Sequence, residues 1–92
     1  MATESSFRDQ WLYRDVEQLT RRIVLRARCV DHKRSLWSCD VYVLTHDPAR
    51  QDDGGACEEL HHRHLMETFE SPDAAHQRGL EAGLDWVAAS RP

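Results

Sequence analysis

Between Arg21 and Asp31 apolar and polar side chains alternate with a period of two, the spacing of a half-buried strand. Ile23, Leu25, Ala27 and Cys29 share one face, and Arg22, Val24, Arg26, Arg28 and Val30 share the other. The polar run His32 to Ser35 reads as a turn. Trp37 to Thr45 then repeats the pattern, with Trp37, Cys39, Val41 and Val43 opposed to Leu36, Ser38, Asp40, Tyr42 and Leu44. Matching the two apolar faces predicts Leu25 opposite Val43, Ala27 opposite Val41 and Cys29 opposite Cys39. The same register sets Arg28 against Asp40 and Arg26 against Tyr42, both favourable cross-strand pairs.

After Ser71 the period changes to that of a helix. Ser71 is an N-cap type, Pro72 suits the first helical position, and Asp73 places negative charge at the positive end of the helix dipole. Ala75, Gly79, Ala82, Gly83, Trp86 and Val87 recur at steps of three and four, widened by Leu80 and Leu84. Glycine costs a helix about 1 kcal/mol against alanine, so two on one face predict a backbone lying close against a sheet. Near the start, Phe7, Trp11, Leu12, Val16 and Leu19 fit an amphipathic helix over 7–19, with a strand through Trp11, Leu12 and Tyr13 as the competing reading. Leu60 to Phe69 reads as a third strand. There Leu60, His62, His64 and Met66 share one phase and Leu65 and Phe69 the other, so a bulge is needed. The expected fold is α+β: a three-stranded antiparallel sheet with a C-terminal helix on one face and an N-terminal helix, in the order α-β-β-β-α.

The 92 residues predict one domain over 1–92, with 1–6 as a frayed tail and 46–59 as a flexible loop. Residues 1–46 carry eight Lys/Arg and six Asp/Glu, a net of +2; residues 47–92 carry four and ten, a net of −6. The total of −4 makes nucleic acid an unlikely partner, because sequence-independent phosphate binding needs a basic surface. No apolar run approaches a membrane span, and Met1 to Ser6 lacks the charged and apolar regions of a signal peptide. With three cysteines, an odd number, a reducing, cytoplasmic setting is expected.

Candidate chemistry is sparse. Cys57, His61 and His64 carry metal-ligating side chains, and Cys57 and His61 have a C-x3-H spacing. Zinc takes about four ligands, and Cys29 and Cys39 sit among apolar neighbours where a core role explains them. Cys57 beside His61 and Glu58 or Glu59 is the one local arrangement of nucleophile, base and orienting group. Gly54-Gly55 lacks the lysine and helix of a phosphate loop, and no cofactor is expected. The strongest binding feature is basic: Arg22, Arg26 and Arg28 on the first strand, with Tyr42 beside them, could hold an anionic partner. The alternative is a solvated outer face. Without a helix over that face, Val24, Val30 and Leu44 would form an apolar fringe suited to a partner or a second subunit.

The pieces Val24-x-x-Ala27, Trp37-x-x-x-Val41-x-Val43, Phe69-x-Ser71, Ala75-x-x-x-Gly79 and Trp86-Val87 resemble a group of small uncharacterised bacterial proteins with a β-β-β-α core. Some of these are similar in topology to the double-stranded RNA-binding domain. The resemblance spans roughly 21–87, rests on core and cap residues, and carries no site residues with it. Members of that fold that bind duplex RNA use a lysine-rich start to the last helix. Here Pro72 to Arg78 holds Asp73 and no lysine, which argues against RNA. The expected function is therefore non-enzymatic: a protein-interaction or homodimerisation module. Weak anion or nucleic-acid binding through the arginine strand is the first alternative, and zinc binding the second.

Overall fold

The computed structural model describes residues 8–16, 20–46 and 58–90. Four strands, β1 (Gln10–Val16), β2 (Arg21–Asp31), β3 (Leu36–Thr45) and β4 (Glu59–His64), form one antiparallel meander in chain order. One helix among the described residues, α1 (Pro72–Ala89), follows. The α+β class holds among the described residues. The expected 1–6 tail lies outside them, as does 47–57 of the expected 46–59 loop.

The helix expected over 7–19 is not formed. Gln10 to Val16 is instead a strand paired with Ala27 to Arg21. The physical reason is tertiary. Ile23, Leu25 and Ala27 of β2 are wholly buried, and the outer edge of that strand needs hydrogen-bonding partners that a helix cannot supply. Trp11, Leu12 and Tyr13 are apolar or aromatic and suit a pleated strand. Among the described residues the sheet thus has four strands rather than the three expected, and its edges are β1 and β4.

The β2–β3 faces are those expected, but the register is displaced by two residues. Leu25 lies opposite Val41, Ala27 opposite Cys39, Cys29 opposite Trp37, Arg26 opposite Asp40 and Arg28 opposite Ser38. A shift of two preserves the faces, so burial alone cannot decide it. The turn decides it. Asp31 Oδ1 accepts from the backbone N–H of Lys33 and of Arg34 (3.1 and 3.2 Å), and Ser35 closes the turn at φ 53°. Val30 is left as an extra residue between the Cys29 and Asp31 pairings.

The expected third strand, Leu60 to Phe69, is real over Glu59–His64. A bulge leaves Leu60 unpaired between the Val43–His61 and Leu44–Glu59 pairs. The Leu65 N–H still donates to Cys39 O (2.9 Å), after which the chain swings out, with Met66 91 % exposed. It returns at Phe69, which exchanges backbone bonds with Trp37 (2.7 and 2.8 Å). The bulge and this excursion together produce the two phases seen in the sequence.

α1 begins as expected. Ser71 has extended backbone, its Oγ accepts from the Ala74 N–H (3.1 Å), and Pro72 follows; such a cap contributes about 0.5–2 kcal/mol. The helix lays Ala75, Gly79, Gly83 and Val87 onto Ile23, Leu25, Ala27, Cys39, Val41 and Val43, with Trp37 and Leu65 completing the core. Leu80, Ala82 and Trp86 pack at its margin, while Leu84 is exposed. The glycines explain the close approach. A Cβ at Gly79 would stand 2.5 Å from Cys39 Sγ, and one at Gly83 would stand 2.8 Å from Ile23 Cγ2.

Cys39 is fully buried, and burial, followed by the neighbouring Asp40 charge, pushes its thiol up to about 11 from 9.0. The folded state therefore keeps this proton where the unfolded chain releases it. Stability from this source is intact below about pH 9 and is lost as pH rises towards about 11. In a chain with Cys29→Ser and Cys57→Ser, chemical denaturation should show stability falling across that window. Adding Cys39→Ala should remove that component of the slope.

Candidate functional site

The helix covers one face of the sheet and leaves the other bare among the described residues. On the bare face the pleat and the register align side chains from neighbouring strands into rows. One row runs Tyr13, Val24, Tyr42, His62; the next runs Trp11, Arg26, Asp40, His64. The Tyr42 and His62 rings stack at 4.4 Å with an interplanar angle of 4°. Val24, between Tyr13 and Tyr42, is buried, whereas Trp11 and Tyr13 are 50 % and 60 % exposed. Val24 is thus the floor of an aromatic strip rather than an exposed fringe; Val30 is exposed and Leu44 half-buried.

The charged row is linked side to side. The Arg26 guanidinium lies 5.5 Å from the centre of a Trp11 ring, within cation–π range. Its Nε donates to Asp9 Oδ2 (2.7 Å). That bond is the main reason the Arg26 pKa is raised, with burial opposing it and Tyr42 adding to it. Asp40, buried opposite Arg26, accepts at Oδ1 from His64 Nδ1 (2.9 Å) and faces His62 Nε2 at 3.4 Å. At the far end Asp15 accepts at Oδ1 from Arg22 Nε and at Oδ2 from Arg22 Nη2 (2.6 and 3.1 Å), and His46 Nε2 lies 3.4 Å from the same Oδ2. The bond to Arg22 holds the Asp15 carboxyl below its usual range.

The candidate anion-binding residues are therefore brought together on one face, but two of the three arginines face carboxylates of the same sheet. Arg22 meets Asp15 and Arg26 meets Asp9. The expected Arg28–Asp40 pair does not form, because the two-residue shift gives Asp40 to Arg26 and the histidines of β4. Asp9, Trp11, Tyr13 and Asp15 are not among the site residues expected from the sequence, because a helix over 7–19 scatters them around its axis. The competing strand through Trp11, Leu12 and Tyr13 is the reading that sets them on one face.

The candidate metal residues are not brought together. His61 and His64 lie on opposite faces of β4. His61 stacks on Trp86 on the helix side (4.7 Å, 7°), and His64 meets Asp40 on the bare side. Cys57 lies outside the described residues, and with it the local Cys57–His61 arrangement. Cys29 and Cys39 lie on the helix side at different positions along the sheet, opposite Trp37 and Ala27. Among the described residues no group of three or more His, Cys, Asp or Glu side chains converges as a metal site would require, and no helix is long and apolar enough to cross a membrane.

Compared with known proteins, the chain matches no family model, no curated protein and no solved structure.

Proposed function

We propose that the chain is a non-enzymatic interaction domain that pairs through its bare sheet face, with a second copy of itself as the occupant. The observation that carries this reading is the exposed Trp11 and Tyr13 standing beside a charge-balanced lattice. The face sets Arg22, Arg26 and Arg28 against Asp9, Asp15 and Asp40, three positive against three negative, on a chain whose net charge is −4. A nearly neutral, aromatic patch on an acidic molecule is where two copies can meet without repulsion. Tyrosine, tryptophan and arginine are the residue types enriched at protein interfaces, and self-complementary two-fold contact is the commonest form of assembly. The internal pairing of Arg22 and Arg26 supports this reading over anion binding, since a polyanion would have to displace Asp15 and Asp9.

Sedimentation equilibrium of the full chain across micromolar concentrations should show a monomer–dimer equilibrium. Trp11→Ala with Tyr13→Ala should weaken it by tenfold or more, as loss of central aromatic anchors does, at about 1.4 kcal/mol per tenfold. A wild-type chain that stays monomeric throughout that range would refute the proposal.

A further inference from the structure

Among the described residues the sheet order leaves β4 as an edge, and α1 lies over β2 and β3 rather than over β4. Between the helix and that edge runs a groove of about 300 Å³ lined by His61, Arg63, Arg78, Ala82, Asp85 and Trp86. We propose that this groove and the β4 edge together take an extended acidic peptide segment from another protein, added to the sheet as a fifth strand.

Three observations carry the inference. The first is the backbone. In an antiparallel pair, successive residues turn their N–H and C=O groups alternately towards and away from the partner strand. Leu65 N–H donates to Cys39 O, so by alternation Arg63 and His61 face β3, while His62 and His64 turn theirs outward. An added strand would find these outward groups spaced to pair with it.

The second is charge. His61, His62, Arg63 and His64 are consecutive, so both faces of this edge offer basic or hydrogen-bonding side chains. The Arg63 side chain is exposed on the groove side, opposite Val41, and makes no ion pair or hydrogen bond among the described residues. Arg78, across the groove, is shared between Glu67 (3.7 Å) and Glu81 (3.5 Å). Arg63 is thus the cation left for an incoming carboxylate, and a guanidinium binds one in a fixed fork. Asp85 is the one acid of the lining. A second copy of this chain fits poorly here, because β4 against β4 would set Arg63 and three histidines against their own kind.

The third is the wall. The parallel His61–Trp86 stack lines the groove with a flat aromatic surface. A side chain beside the acidic residue of the peptide can rest there. In a peptide strand, alternate side chains point into the groove, so an acidic residue for Arg63 and an apolar one for Trp86 would lie two apart.

The test uses the full chain with Trp11→Ala and Tyr13→Ala, so that pairing through the bare face does not enter. The probes are a capped octapeptide in which glutamate and valine take turns at every second position, with threonine between them, and its counterpart with lysine in place of glutamate. The glutamate peptide should bind, should shift the Trp86 and Arg63 resonances, and should slow amide exchange at His62 and His64. The lysine peptide should not. Arg63→Glu, at an exposed position, should weaken binding by about tenfold or more. Equal binding of the two peptides, unchanged affinity with Arg63→Glu, unprotected His62 and His64 amides, or displacement by millimolar inorganic phosphate would each overturn the proposal.

Discussion

Gly79→Ala should destabilise the domain, although alanine is the better helix former by about 1 kcal/mol. The added methyl would stand 2.5 Å from Cys39 Sγ, 3.1 Å from Leu25 Cδ2 and 3.4 Å from Val41 Cγ2. Cys39 and Leu25 are wholly buried and Val41 nearly so, so none of the three can yield sideways into solvent. The relief left is a small lift of α1 from the sheet, which loosens the packing along Ala75, Gly83 and Val87. Overpacking of this kind costs about 1–3 kcal/mol, and the net loss should lower the melting temperature by roughly 4–8 °C per kcal/mol in a domain of this size. Because the closest atom is a single sulfur, the clash has a specific remedy. Cys39→Ala removes that sulfur, and the double variant should be more stable than the sum of the two single changes predicts, with a coupling of about 0.5–3 kcal/mol. Guanidinium denaturation of the four proteins measures it. Strict additivity would show that the sulfur contact is not what requires glycine at 79.

The glycine spacing was legible in the sequence because a helix face and the two strands under it are each periodic. Ile23 to Cys29, Trp37 to Val43 and Ala75 to Val87 each declare a buried side without reference to the others. What the sequence did not fix came from pairing. Trp11, Leu12 and Val16 satisfy a helical period and a strand equally well. β1 is an edge that the helix barely reaches, so both its faces are largely exposed and no clean alternation marks it. Only the unmet outer edge of β2 decides between the two. Register is likewise invisible to burial when the error is two residues. It is set by the Asp31 carboxylate capping the turn and by the extra residue at Val30. The site inherited both errors. Arg22, Arg26 and Tyr42 were placed on the correct face, but their partners Asp9 and Asp15 lay in the misread segment. The stacked His61 and Trp86 are far apart in sequence, and only the bulge at Leu60 turns His61 towards the helix.

Ile23→Ala should cost about 2–5 kcal/mol, the range for truncating a fully buried isoleucine, out of the roughly 5–15 kcal/mol that holds a small domain folded. Ile23 is wholly buried on β2, opposite Val43 and Arg14, and lies directly beneath Gly83. Gly83 has no side chain with which to fill the space, so the cavity persists and the cost should fall in the upper part of that range. The residue next along the strand gives the contrast. Val24 turns to the other face, between Tyr13 and Tyr42. Tyr13, 60 % exposed in the same row, can be changed to alanine with an expected cost within about 0.5 kcal/mol, as for other surface positions. Thermal unfolding should therefore separate Ile23→Ala from Tyr13→Ala sharply, while sedimentation should show the loss of self-association in Tyr13→Ala at a temperature where both remain folded. If Tyr13→Ala instead unfolded as readily as Ile23→Ala, the bare face would be part of the core, and its aromatic residues would be explained by stability alone. The alternation of side chains along β2 thus assigns the two tasks: Ile23, Leu25 and Ala27 hold the fold, and Arg22, Val24 and Arg26 support the surface that it presents.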